Sequence, residues 1–176
     1  MKKVLEKRLV YLYSGELSSI IVFIPVSYLL NYTFPNLRLY SLYSFWVSFF
    51  LLEFLLVQGT MYWYAKLKRL RDDKSDRNPI KIFRMLHRLK TLNIVIILIA
   101  SIAFAFDFNK WYPSYPLGGL SIAFFIYVFA ILEFINYFYI QISYDNISEI
   151  KNLLKSRKLK ISSMNKDFKR MRKLKP

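Results

Sequence analysis

Apolar residues run along this chain in four long blocks, separated by short stretches that are polar, basic or broken by proline. A helix needs about 20 mostly apolar residues, each rising 1.5 Å, to cross a hydrocarbon layer of about 30 Å. Four runs qualify: Leu17–Phe34 (with a start as early as Leu9), Leu39–Tyr64, Leu92–Phe108 and Leu117–Tyr144. The pattern predicts an all-α membrane protein. Residues 1–145 form a domain of four transmembrane helices, and residues 146–176 form a basic tail.

The connections refine this picture. Asn31–Arg38 and Asn109–Leu117 are short, carry Pro35, Pro113 and Pro116, and hold aromatics suited to a membrane interface. Short links make consecutive helices antiparallel neighbours, so the expected architecture is two antiparallel hairpins. Asn78 followed by Pro79 reads as an N-cap and first helical residue. A helix from there to Phe108 would run about 45 Å, so its first turns project beyond the bilayer. In the tail, Ile147, Ile150, Leu154, Ile161, Met164, Phe168 and Met171 recur at spacings near three and four, interrupted at Arg157. Among dense Lys and Arg, that spacing predicts an amphipathic helix lying on an anionic leaflet or against a partner helix.

Composition agrees with a membrane protein. Apolar residues make up 55% of the 176 and aromatics 19%, more than a soluble core of this size could hide. There is no Cys and only one His, which removes disulfides, thiolate metal sites, cysteine nucleophiles and multi-histidine centres. His87 reads as an ordinary surface residue. Frequent Ile, Asn, Lys, Tyr and Phe suggest an AT-rich, bacterial genome.

The net charge of +16 suggests nucleic acid until its placement is considered. Residues 2–8 carry four Lys or Arg, the connection from Lys66 to Lys90 ten, and the chain after Tyr144 eleven. Only Arg38 and Lys110 fall in the other two connections, so 25 of 27 basic residues lie on one side of a four-span arrangement. The positive-inside rule then puts both termini in the cytoplasm of a multi-pass cell-membrane protein. The expected partners are the bilayer, anionic lipid headgroups at the cytosolic face, and a second copy or another membrane protein; nucleic acid is not expected. The first run is read as a retained span, because no small-residue cleavage site follows it.

An 80-residue shift lays the second span on the fourth without a gap. Ser41, Phe45, Phe49, Leu52, Glu53, Phe54 and Tyr64 fall on Ser121, Phe125, Phe129, Leu132, Glu133, Phe134 and Tyr144. These matches suggest a pseudo-repeat of residues 1–70 and 81–150, of the parallel kind found among transporters. Shared hydrophobic composition is the plainer alternative.

Glu53 and Glu133 stand near the middle of their spans. An ionised carboxylate at mid-bilayer costs at least ~2.5 kcal/mol on insertion scales, so each should face the bundle or water. No Lys or Arg lies inside any span, so the acids are expected to carry a proton, meet hydroxyls and amides, or hold a transient cation. Glu16 joins them if the first helix starts early. Helical spacing adds Thr60 and Tyr64 to the Glu53 face, and Asn136, Tyr137 and Tyr144 to the Glu133 face. Gln58 lies on another side, placed to bond a neighbouring helix. Asp107, near the outer end of the third span, reads as wet, and Tyr62 and Trp63 as interface anchors. These acids and hydroxyls can form a proton or cation site, or they can be polar glue between helices.

Leu52-Glu53 through Gln58-Gly59 with Tyr62-Trp63-Tyr64, and Leu132 to Tyr137 followed by Ile140 to Tyr144, resemble small four-span membrane proteins of low-GC Gram-positive bacteria, loosely labelled general stress proteins. The resemblance covers residues 9–145 and implies the four-span fold but no chemistry. With no nucleophile–base pair, metal cluster or phosphate-binding glycine loop, neither an enzyme nor a cofactor is expected. The leading expectation is a transport or cation/proton-binding bundle built on paired carboxylates. The alternative is a non-catalytic accessory or envelope-stress protein acting through its basic face.

Overall fold

A computed structural model describes residues 2–71, 78–142 and 159–173. These residues are almost entirely helical, and their one β-type contact is an isolated bridge between Ile140 and Ile161. The order is α1 (Lys2–Thr33), two single 3-10 turns (Pro35–Leu37 and Leu39–Ser41), α2 (Tyr43–Arg71), α3 (Asn78–Lys110), α4 (Leu117–Phe138) and α5 (Ser163–Lys173). Helices α1 to α4 are long and apolar enough to cross a membrane, as in a multi-pass membrane protein.

Their ends differ from the hydropathy reading for local reasons. Helix α1 begins at Lys2, so Glu16 lies well inside a helix of 32 residues. Helix α2 starts at Tyr43 rather than Leu39, because residues 35–41 are wound into 3-10 turns with Arg38 left-handed between them. Helix α4 stops at Phe138, short of Tyr144. Beyond that point the Asn136 side-chain oxygen accepts the Ile142 N–H at 2.9 Å, and the Gln141 N–H turns to the Lys160 carbonyl at 2.8 Å. These contacts replace the bonds a longer helix would make.

The four long helices are not arranged evenly. Helix α2 packs against α1, α3 and α4, whereas α3 and α4 touch each other little. Half of the most apolar stretch of α2 is buried inside the protein, against 6% for α1. So α2 and α4, which the 80-residue shift superposes, occupy different positions: one is central and the other peripheral. Two apolar clusters fill the space around α2. One holds Leu51, Leu55, Tyr62, Phe134 and Phe138, and the other holds Leu39, Leu42, Phe45 and Leu120.

Two polar contacts fix α2 against α3. Gln58 and Asn93, both buried, exchange a reciprocal pair of amide hydrogen bonds of 3.0 and 2.9 Å. Gln58 thus bonds a neighbouring helix, as its position suggested. Replacing Gln58 by Leu leaves the Asn93 amide buried and unpaired, and is expected to cost about 1–3 kcal/mol. Replacing both by Leu should recover most of that loss in a thermal-unfolding double-mutant cycle.

The second contact corrects the reading of Asp107 as wet. Asp107 is fully buried and accepts the backbone N–H groups of Tyr43 (3.1 Å) and Ser44 (2.7 Å). The opening N–H groups of a helix have no partner within it. A carboxyl group on α3 therefore caps α2 from outside.

The tail departs most from expectation. Ser162 caps α5 by accepting the Asn165 N–H at 3.1 Å, and its own hydroxyl donates to the Tyr137 carbonyl at 2.6 Å. Met164 and Phe168, one turn apart, are buried beside Phe83, Leu86 and Phe138. Two residues of the apolar face expected to meet an anionic leaflet or a partner helix, Met164 and Phe168, therefore pack within the protein, while Ile161 stays exposed. Tyr62 is also no interface anchor: it is buried, and its hydroxyl donates to Asp167 of α5 at 2.7 Å. Lys66 pairs with the same carboxylate at 3.5 Å. His87 is half-buried, with its ring edge against Phe168. Ile147, Ile150 and Leu154 lie outside the described residues.

Candidate functional site

Three helices bring polar side chains together beside Gly59. Helix α1 supplies Glu16, and α4 supplies Glu133, Asn136 and Tyr137, which share a face because residues three and four apart are neighbours on a helix. Tyr137 is buried, and its hydroxyl donates a hydrogen bond to Glu16. Glu133 lies one turn before Tyr137 on α4, and both line the same cavity as Glu16. The Asn136 amide donates to Glu133 at 3.3 Å.

Gly59 is what lets these groups meet. A Cβ at that position would lie 2.6 Å from the Tyr137 hydroxyl oxygen, 2.8 Å from the adjoining ring carbon and 2.9 Å from the Glu16 carboxyl carbon. The bare backbone of α2 thus forms the back wall of the site. A glycine inside a helix costs about 0.5–1 kcal/mol relative to alanine, and here it permits the close approach of both neighbours.

Glu16, Glu133, Asn136 and Tyr137 line a cavity of about 230 Å³. Tyr62, Trp63 and Lys66 of α2, Arg8 of α1, and Lys160 and Ser162 before α5 also line it. Among the described residues, neither carboxylate lies within ion-pair distance of a Lys or Arg side chain.

The other expected site residues are elsewhere. Glu53 does not line the cavity; its carboxyl oxygens are buried without a hydrogen-bond partner. Six residues at 100° each turn it about 120° around α2 from Gly59, which explains the separation. The Thr60 hydroxyl is likewise buried and unbonded, and Tyr64 is half-exposed with its ring against Tyr13. Tyr144 lies outside the described residues. The acid brought to Glu133 is therefore Glu16, not the residue matched by the 80-residue shift.

Sequence reasoning also missed the back wall and the basic rim. A lone glycine among bulky residues of a long helix was the available signal for Gly59. Nothing local marks Arg8, Lys66 or Lys160, because each reads as one more topology-setting charge. Among the described residues no three acids or histidines gather to hold a metal ion. The site offers two carboxylates, one phenol and one amide, a set suited to a proton or a small cation. Comparison with known protein families, curated proteins and solved structures finds no match to this chain.

Proposed function

We propose that this protein binds a proton or small cation at the Glu16–Glu133 pair as part of a transport cycle across a bacterial cell membrane. The observation that carries the reading is the Tyr137 hydroxyl bonded to Glu16, with Glu133 one turn away on α4, in a cavity backed by Gly59. Two carboxylates withdrawn from water around one hydroxyl need a neutralising charge, either a proton or a bound cation. Exchange of one for the other is the simplest work such a pair performs.

In this reading both termini are cytoplasmic and the spans form two antiparallel hairpins, because 25 of 27 basic residues then share one side. The cavity contains Arg8, Lys66 and Lys160 and so faces the cytoplasm. A duplicated hairpin remains part of the proposal: α2 became the central element and kept Glu53 outside the site, while α4 kept its acid within it.

The test is proton movement in liposomes carrying the purified protein and an internal pH dye. An inward gradient of a small amine such as ethanolamine should drive proton efflux beyond that of protein-free liposomes. The E16Q/E133Q double variant should lower that flux at least tenfold while eluting as the wild type does in size-exclusion chromatography, and E53Q should leave it nearly unchanged. Wild-type flux in E16Q/E133Q would reject the reading.

The accessory-protein reading draws on Lys166, Lys169 and Arg170, which are exposed on α5. It requires the flux to be absent altogether and a phenotype to follow loss of the tail.

A further inference from the structure

Helix α4 stops at Phe138, one residue past Tyr137, and the chain that follows pairs with a segment from near the C-terminus. The Ser162 N–H donates to the Tyr139 carbonyl at 3.2 Å and the Gln141 N–H to the Lys160 carbonyl at 2.8 Å, which sets Ile140 opposite Ile161 as an antiparallel pair. Helix α5 begins directly after the Ser162 cap. Residues 160–168 therefore form one strap, made of the bridged segment, the cap and the first turns of α5. Ser162, Ser163 and Met164 of this strap line the same cavity as Glu16 and Glu133.

Hydrogen bonds join the strap to the site at two points. The Ser162 hydroxyl donates to the carbonyl of Tyr137, the residue whose phenol bonds Glu16. The Asn136 amide donates to Glu133 at 3.3 Å, and its oxygen accepts the Ile142 N–H at 2.9 Å, which ties the acid to the chain that pairs with the strap. A third fastening lies on α2, where Tyr62 and Lys66 hold Asp167. Helix α5 itself has 11 residues, and isolated helices shorter than about 12–15 residues are marginal in water. It keeps its shape through its dock, where Met164 and Phe168 are the buried apolar side chains among the described residues of α5. So small a dock makes α5 the helix that opens at least cost.

We infer that the strap, residues 160–168, is a gate over the cation site, docked in this structure and released during each exchange. It lies past Tyr137 in the direction that α4 runs, which is the cytoplasmic end of the cavity in the proposed orientation. The contact of Asp167 with Tyr62 and Lys66 is its latch. The inference rests on the transport reading of the Glu16–Glu133 pair and adds the moving part that such a cycle needs.

The chain contains no cysteine, so engineered thiols report on the strap alone. Ile140 and Ile161 form a non-hydrogen-bonded antiparallel pair, whose Cα atoms sit about 4.5 Å apart, within the span of a disulfide. Oxidising the I140C/I161C protein with diamide should join them, read as the loss of two hydrogens in the intact mass. In liposomes the oxidised protein should carry amine-driven proton flux at least tenfold below that of the reduced protein, and a reductant should restore it. In detergent, S163C should react with a maleimide at least tenfold faster when D167A removes the latch. K166C, at an exposed position of α5, should react equally with and without D167A.

Wild-type flux through the oxidised protein overturns the gate and leaves the transport reading standing. Equal labelling of S163C with and without D167A overturns the latch. No amine-driven flux in the wild type or in either redox state of I140C/I161C overturns the transport reading and the gate with it.

Discussion

Replacing Gly59 by alanine is expected to destabilise the protein by about 1–3 kcal/mol, the usual cost of forcing a methyl group into a filled space. The sign is what makes this informative. At a helix interior that tolerates a side chain, alanine in place of glycine stabilises by about 0.5–1 kcal/mol. Here the new carbon would meet the Tyr137 hydroxyl oxygen at 2.6 Å and the Glu16 carboxyl carbon at 2.9 Å. Both are side-chain ends, so the methyl group is admitted by displacing the Tyr137 hydroxyl and the Glu16 carboxyl and straining the bond between them. The measurement is thermal unfolding in detergent, read beside amine-driven proton flux. G59A should lower both, and G59A/Y137F should recover part of the stability, since the phenol oxygen is the nearest obstacle, but none of the flux. A G59A protein more stable than wild type, with unchanged flux, would mean that the Tyr137 and Glu16 side chains do not meet at Gly59 as described.

Removing the carboxyl group of Asp107 is expected to cost about 3 kcal/mol. Two backbone donors at the start of α2 would lose their acceptor in a buried place, and hydrogen bonds to charged groups are each worth about 1.5–3 kcal/mol. No other side chain substitutes for it in the described contacts of Tyr43 and Ser44. D107A should therefore lower the unfolding temperature and speed amide hydrogen exchange at residues 43 and 44. D107N keeps one acceptor oxygen and should lose about half as much. Because α2 is the helix on which α1, α3 and α4 all pack, fraying of its first turn is expected to loosen the whole assembly. Unchanged exchange at those two amides in D107A would show that Asp107 is not the cap.

The four helices were legible because hydropathy over some twenty residues is a strong and local signal. Their contacts were not. The sequence places Glu53 and Glu133 at matching points of two similar segments, and matching points suggested a shared site. Contact depends instead on how each helix is rotated about its axis, and on which helix becomes central. Those follow from small residues such as Gly59 and from long-range bonds such as Asp107 to Ser44, 63 positions apart.

The tail was legible only in part. The spacing of Met164 and Phe168 correctly marks one apolar face, yet an apolar face does not say what will cover it. Lipid and the Phe83–Leu86–Phe138 surface are both apolar. The deciding contacts, Tyr62 and Lys66 to Asp167, link residues about a hundred positions apart. For the site itself, helix spacing did group Glu133, Asn136 and Tyr137, because those neighbours lie within one turn. It could not choose Glu16 as their partner, since that choice depends on the register between α1 and α4.

The most direct measurement is the number of protons released when ethanolamine binds the full-length protein. Calorimetric titration in buffers of different ionisation enthalpy gives this number. The account predicts release in the wild type and in E53Q, and none in E16Q/E133Q. Release that persists in E16Q/E133Q and disappears in E53Q would contradict it and move the working acid to the other face of α2.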